Sequence, residues 1–339
     1  MTTKRDRVLA ALRFDNSLGV PYQLSFNQGA LDSMIAHTGD AGFEEQAGSH
    51  LSITSLSAPE VEIRPGVFQD EYGVIWDRSG VDRDVGQIVG QVVDSLEALK
   101  AYSPPAVDHA WVRGQAHALS KKQDGKFHVA QLHFSVFERA WSLCGMENLL
   151  IWMLDEPEAV RGFLGKITRR CLEVLEASFA FPYDCVYTGD DWGQQRGLIM
   201  GPPLWRAFIK PCFEEIFASC HRHGRFTAHH SCGDLRDILL ELPDLGLDIY
   251  QTFQPEIYGL DRARQLQGRL CVWGGISTQR DLPFLPADDI PALVARTVAA
   301  FPEGGLILAP THSIMDDVPA DNILALVAAF KAWAQGQAS

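Results

Sequence analysis

The feature that most restricts how this chain can fold is the exchange of strand-like and helix-like runs from residue 127 to the C-terminus. The alternating run Phe127-His-Val-Ala-Gln-Leu-His-Phe134 reads as a strand, followed by helical patterns from Val136 to about Leu154 and from Pro157 to Phe179. Cys185-Val-Tyr-Thr-Gly-Asp-Asp191 is the next strand and ends in two carboxylates. A helix is expected from Pro203 to Gly224, with proline near its start and glycine at its end, as capping preferences require. Strand Arg225–His230, a helix from Leu235, strands Leu247–Gln251 and Arg269–Trp273, helix Asp288–Phe301, strand Leu306–Ala309 and helix Asn322–Ala334 complete the series. Repeated βα units of this length place the chain in the α/β class and predict a (β/α)8 TIM-type barrel. An open doubly wound sheet is the other arrangement this periodicity allows.

The first third reads differently. Lys4–Phe14 has the apolar spacing of a short helix, and Val20–Phe26 alternates like a first strand. Between about 60 and 93, short β pieces broken by glycine (Val61–Ile63, Val74–Trp76, Gly86–Val89) predict a β-hairpin excursion from the barrel. Nothing in residues 1–339 resembles a linker, a repeat or a low-complexity segment, so one barrel domain is expected.

Charge and cysteine usage narrow the partners. A formal net charge of −14 with no cluster of lysines or arginines argues against nucleic acid and anionic membrane surfaces. The seven cysteines lack any CxxC pair, which fits reduced thiols in the cytoplasm. No signal peptide and no bilayer-length apolar run is read, so a cytoplasmic address is expected.

In a barrel, chemistry gathers at the C-terminal ends of the strands. There this sequence places Asp190-Asp191, His229-His230-Ser231-Cys232, Gln251, Gly274-Gly275 and Thr311-His312. Residues two apart on a strand face one side, so His230 and Cys232 can share a metal, with His312 as the natural third ligand. Imidazole and thiolate suit zinc, and a catalytic zinc keeps one position open. A buried packing pair is the bland alternative for His230 and Cys232. Asp190 and Asp191 are candidates for general acid or base, or else for a helix cap or an ion pair to Arg139 or Arg196. Only one of them can point into the pocket, and Asp191 is favoured. Trp192, Gln194, Gln251 and Glu138 are candidates for substrate contact, and His229 reads as a core histidine. No P-loop, GxSxG, GxGxxG or HExxH motif is present.

Five segments, Phe137-Glu-Arg-Ala-Trp141, Gly189-Asp-Asp-Trp-Gly-Gln194, His230-Ser-Cys-Gly233, Val272-Trp-Gly-Gly-Ile276 and Ile307-Leu-Ala-Pro310, resemble the uroporphyrinogen decarboxylase superfamily in order and spacing. The likeness runs from about residue 4 to 332 and implies a distorted (β/α)8 barrel. True uroporphyrinogen decarboxylases carry an Arg-Gln-Ala-Gly-Arg stretch near the N-terminus. The corresponding region here, Pro21-Tyr-Gln-Leu-Ser-Phe-Asn27, has no arginine, which argues against porphyrin decarboxylation. The methyltransferase-like branch, which includes corrinoid and coenzyme M methyltransferases and O-demethylase components, binds zinc through His-x-Cys and a later Cys. His230 and Cys232 match the first two positions, and His312 stands where the later Cys is expected. The resemblance therefore implies a zinc-dependent methyltransferase acting on a small molecule, with a corrinoid carried by a partner protein. A decarboxylase or lyase of a small carboxylated substrate, and a non-catalytic corrinoid- or tetrapyrrole-binding protein, are the other readings.

Overall fold

The computed structural model describes residues 2–80 and 86–336. Seven parallel strands form one curled sheet: β1 (Leu51–Ser55), β2 (Phe127–Leu132), β3 (Cys185–Gly189), β4 (Phe226–His230), β5 (Ile249–Phe253), β6 (Cys271–Ile276) and β7 (Leu306–Pro310). They pair in sequence order from β1 to β7. This is the distorted TIM-type α/β barrel that the βα alternation predicts.

The eighth position is where the distortion lies. Residues 20–26, read as a first strand, form only isolated bridges, Tyr22 to Leu308 and Phe26 to Ile314. Their backbone still reaches both sides of the gap. Leu308 donates to the Pro21 carbonyl, and the His50 amide donates to the Tyr22 carbonyl. A proline at 21 removes one ladder donor, which limits regular pairing there.

Inside the barrel, strand parity decides what is core. Leu51, Phe127, Val129, Cys185, Tyr187, Ala228, Ile249, Cys271, Trp273, Ile307 and Ala309 share one buried cluster with Val8. Helix Lys4–Leu12 presents Val8, Leu9 and Leu12 to that cluster and closes the end of the barrel where the strands begin. The alternate residues (Ala130, Val186, Tyr250, Val272 and Leu308) join the larger cluster under the outer helices.

Local chemistry adjusts several predicted elements. The helix expected from Val136 breaks at Gly145 (φ +84°) into Phe137–Cys144 and Met146–Asp155. The Pro203–Gly224 stretch contains a π-helical turn, Trp205–Ile209, before Lys210–Arg222. The helix expected from Leu235 is only a 3-10 turn, Leu239–Glu241. Helices Gln28–Thr38 and His109–Ser120 add to the layer.

The excursion is a four-stranded antiparallel meander, Val61–Arg64, Val67–Gln69, Ile75–Asp77 and Gln87–Ile88. A buried ion pair at 2.5 Å joins it to the barrel, from Arg139 to Asp70, which also accepts the Trp76 indole N–H. Arg139 lies 4.0 Å over the Tyr72 ring, and Arg170 bonds both Glu71 and the Tyr72 hydroxyl. Among the described residues, no helix is long and apolar enough to cross a membrane.

Candidate metal centre and active site

Several inward faces become polar where their strands end. Two residues beyond the apolar plug come Ile53 on β1, Gln131 after Val129, His230 after Ala228 and Gln251 after Ile249, and four residues beyond it come His133, Asp191 (after Tyr187) and Cys232. All of them line one cavity of about 690 Å³, together with Phe134, Glu138, Trp141, Trp273, His312 and Ser313. The lower half of the barrel is thus a dry floor, and the upper half is a chamber built from the same alternation.

On that floor, donor atoms of Asp191, His230 and Cys232 lie within 4.8 Å of one another. Cys232 Sγ is 3.5 Å from His230 Nε2, and Asp191 Oδ1 is 3.4 Å from the same nitrogen. The other imidazole nitrogen, Nδ1, bonds Gln251 Oε1, which also accepts the Tyr187 hydroxyl at 2.9 Å. An amide oxygen only accepts, so Nδ1 carries the proton and the Nε2 lone pair faces the thiol and carboxylate. Asp191 Oδ1 accepts the Cys232 amide at 2.7 Å, tying the end of β3 to the His-Ser-Cys turn.

The turn itself depends on glycine. Gly233 has φ +83°, and a Cβ there would come within 2.3 Å of the Gly193 carbonyl carbon. The short hairpin carrying Gly193 therefore presses directly on the turn that presents Cys232.

Burial drives the Cys232 thiol well above its usual range, with the Asp191 and Glu138 charges adding to the effect. A nitrogen, a sulfur and an oxygen donor that converge in this way fit a borderline-soft divalent metal such as zinc. Glu138 sits beside this group, and its carboxyl is pushed well above the ordinary carboxylate range by burial, then by Asp191 and Asp190. His133 is held down to about 4 by burial and by His230, which keeps it uncharged near neutrality.

Several expected site residues lie elsewhere. Asp190 has outward parity, is fully buried, and accepts the backbone amides of Phe137 at 2.9 Å and Glu138 at 2.6 Å. It serves as a remote cap for helix Phe137–Cys144, whose own N-cap, Val136, has no side-chain oxygen. Its ion pair with Arg139 does not form, because that guanidinium is taken by Asp70. Trp192 is also outside the cavity: its indole N–H bonds Asp190, and its ring stacks on buried His229 at 4.0 Å. Gln194 is exposed and contributes its backbone carbonyl to the Asp234 amide. His312 lines the cavity from an exposed position after β7, and the acidic group whose oxygen lies within 4.8 Å of the His230 and Cys232 donor atoms is Asp191.

Gln131, His133, Phe134, Trp141 and Trp273 line the chamber without having been expected there. Gln131 and His133 carry a readable signal, since polar residues two apart at the end of an apolar strand mirror His230 and Cys232.

One solved structure agrees with this architecture over nearly its full length. A methyltransferase from Methanosarcina mazei superposes with a TM-score of 0.72 at 18% identity, over 98% of this chain and 99% of that one. A B12-independent methionine synthase from Shewanella sp. W3-18-1 overlaps with a TM-score of 0.43 at 12% identity, over 94% and 92% of the two chains. Curated protein sequences give no match. Residues 81–333 match the description of uroporphyrinogen decarboxylase (URO-D), and the chain with this curled barrel belongs to that family.

Proposed function

We propose that this protein is a zinc-dependent methyltransferase that moves a methyl group between a one-carbon carrier, such as a corrinoid on a partner protein, and a small acceptor. The observation that carries this reading is the convergence of Asp191, His230 and Cys232 on the chamber floor. When bound, the metal supplies Lewis acidity that keeps a thiol acceptor deprotonated near neutral pH. The protein's own residues do the rest. Gln251 fixes the imidazole, Asp191 positions the Cys232 backbone, and Phe134, Trp141, Tyr187 and Trp273 give the chamber apolar walls that displace water. The Methanosarcina mazei methyltransferase, alike over nearly the full length of both chains, supports the same reading through its fold.

Chamber chemistry also weighs against decarboxylation of a small acid. Among the described residues, no lysine or arginine lines the cavity, while Glu138 and Asp191 do. A substrate carboxylate would meet acidic and neutral groups there.

The test is elemental analysis of freshly purified protein, followed by incubation of the zinc-loaded form with methylcobalamin and a panel of small thiols. About one zinc per chain, with loss of the cobalt–methyl absorbance that Cys232→Ala abolishes, is expected. Absence of metal, or no demethylation with any thiol, would overturn the proposal.

A further inference from the structure

Next to the chamber lies a second cavity of about 720 Å³, lined by Ile88, Gly90, Gln91, Asp94, Ser142 and Met146 among others. Trp141 lines both spaces. Its ring packs 6.2 Å from that of Phe134, which also faces the chamber. Phe134 is held at φ +49°, a left-handed conformation that is strained for a bulky L-residue. Surrounding contacts hold it there. The Ser135 amide and hydroxyl both bond the Gly189 carbonyl, Trp76 of the meander packs edge-on at 5.3 Å, and the Arg139 guanidinium lies 5.6 Å over the ring. Trp76 and Arg139 are themselves joined through Asp70. The meander is therefore wired through Phe134 to Trp141, the ring that lines both cavities.

We propose that Phe134 and Trp141 are the specificity-determining pair of this site, a partition braced by the meander that bounds the chamber on the side of the second cavity and so limits how far a substrate can extend in that direction. The space behind Trp141 becomes available to larger molecules only when the partition is cut back. This rests on the chamber being the reaction site. The test nevertheless reads access to Cys232 and not methyl transfer, so the two ideas fail separately.

Cys232 is the cysteine that lines the chamber, and it can be followed by peptide mass spectrometry. Purified protein with chelator present is treated with N-ethylmaleimide or with the much larger N-(1-pyrenyl)maleimide. Wild type should label with the small reagent and exclude the large one. Trp141→Ala should raise the large-to-small labelling ratio by about tenfold or more, within the discrimination that pocket size usually supplies. Phe134→Gly should do the same, and because glycine accepts positive φ freely, relief of backbone strain should offset part of the packing this variant loses. Trp141→Phe should fall between wild type and alanine. Equal large-to-small ratios in wild type and all variants would overturn the partition.

Discussion

Asp190 accepts the backbone N–H of Glu138 at 2.6 Å, so a carboxylate outside the chamber sets the position of one that lines it. Its chain neighbour Asp191 faces the other way and holds the Cys232 amide. Two consecutive carboxylates thus brace two different walls of one site.

The Asp190 arrangement has a pH signature. Burial lifts its pKa from the ordinary 3.8 to about 6, against the opposing hydrogen bonds from Glu138, Phe137 and Trp192. A carboxyl raised in the folded state binds its proton more tightly there than when unfolded. Its contribution is fully present below about pH 4 and is lost as pH rises through about 6, a change on the order of 3 kcal/mol. Asp190→Asn lacks this titration. The melting-temperature difference, variant minus wild type, should increase from pH 4 to 6 and stay flat above 7. A constant difference across that range would show that the buried carboxyl does not titrate.

Gln251 should govern metal affinity without touching the metal. Replacing it with alanine frees the His230 ring to rotate and to change tautomer. Affinity for zinc should fall about 10–100-fold, read by competition with a chromogenic chelator. Unchanged affinity would mean that His230 is oriented by other contacts.

The third ligand can be separated from its rival. Asp191→Ala should lower zinc occupancy after dialysis much more than His312→Ala, because Asp191 shares the floor with His230 and Cys232. The reverse order, read by elemental analysis, would give His312 the ligand role expected from the strand order.

Removing the metal should spare the fold. The plug from Phe127 to Ala309 is buried and apolar without it. Chelation should therefore abolish methyl transfer while leaving far-UV circular dichroism unchanged, and global unfolding would make the centre structural.

How much of this was legible in the sequence follows from which forces are local. Parallel strands announced themselves because their residues are apolar on both faces, and parity then carries Ala228 to His230 and Cys232. The same count from Cys185 through Tyr187 puts Asp191 inside and Asp190 outside, so that assignment was readable in principle. Trp192 was not, because a tryptophan beside a carboxylate stacks equally well on a ligand or on a buried histidine, and only the packing of His229 decides. The Asp70–Arg139 pair joins residues 69 positions apart, and no local pattern records it.

The seam at residues 20–26 has a mechanical consequence. Six of the junctions around the barrel are paired strands, five of them in unbroken register and one with a shift at Gln251/Phe253, whereas this one hangs on scattered backbone bonds made by Pro21, Tyr22, Gln23, Ser25 and Asn27. Gln23 and Ser25 on one side, with Pro310 and Ser313 on the other, are chamber wall. Fewer bonds mean a lower local opening free energy, so amides of this stretch should exchange with solvent ahead of those in β2–β6. The chamber therefore has one yielding side, set across the barrel's closure, while the face that carries His230 and Cys232 is built on paired strands.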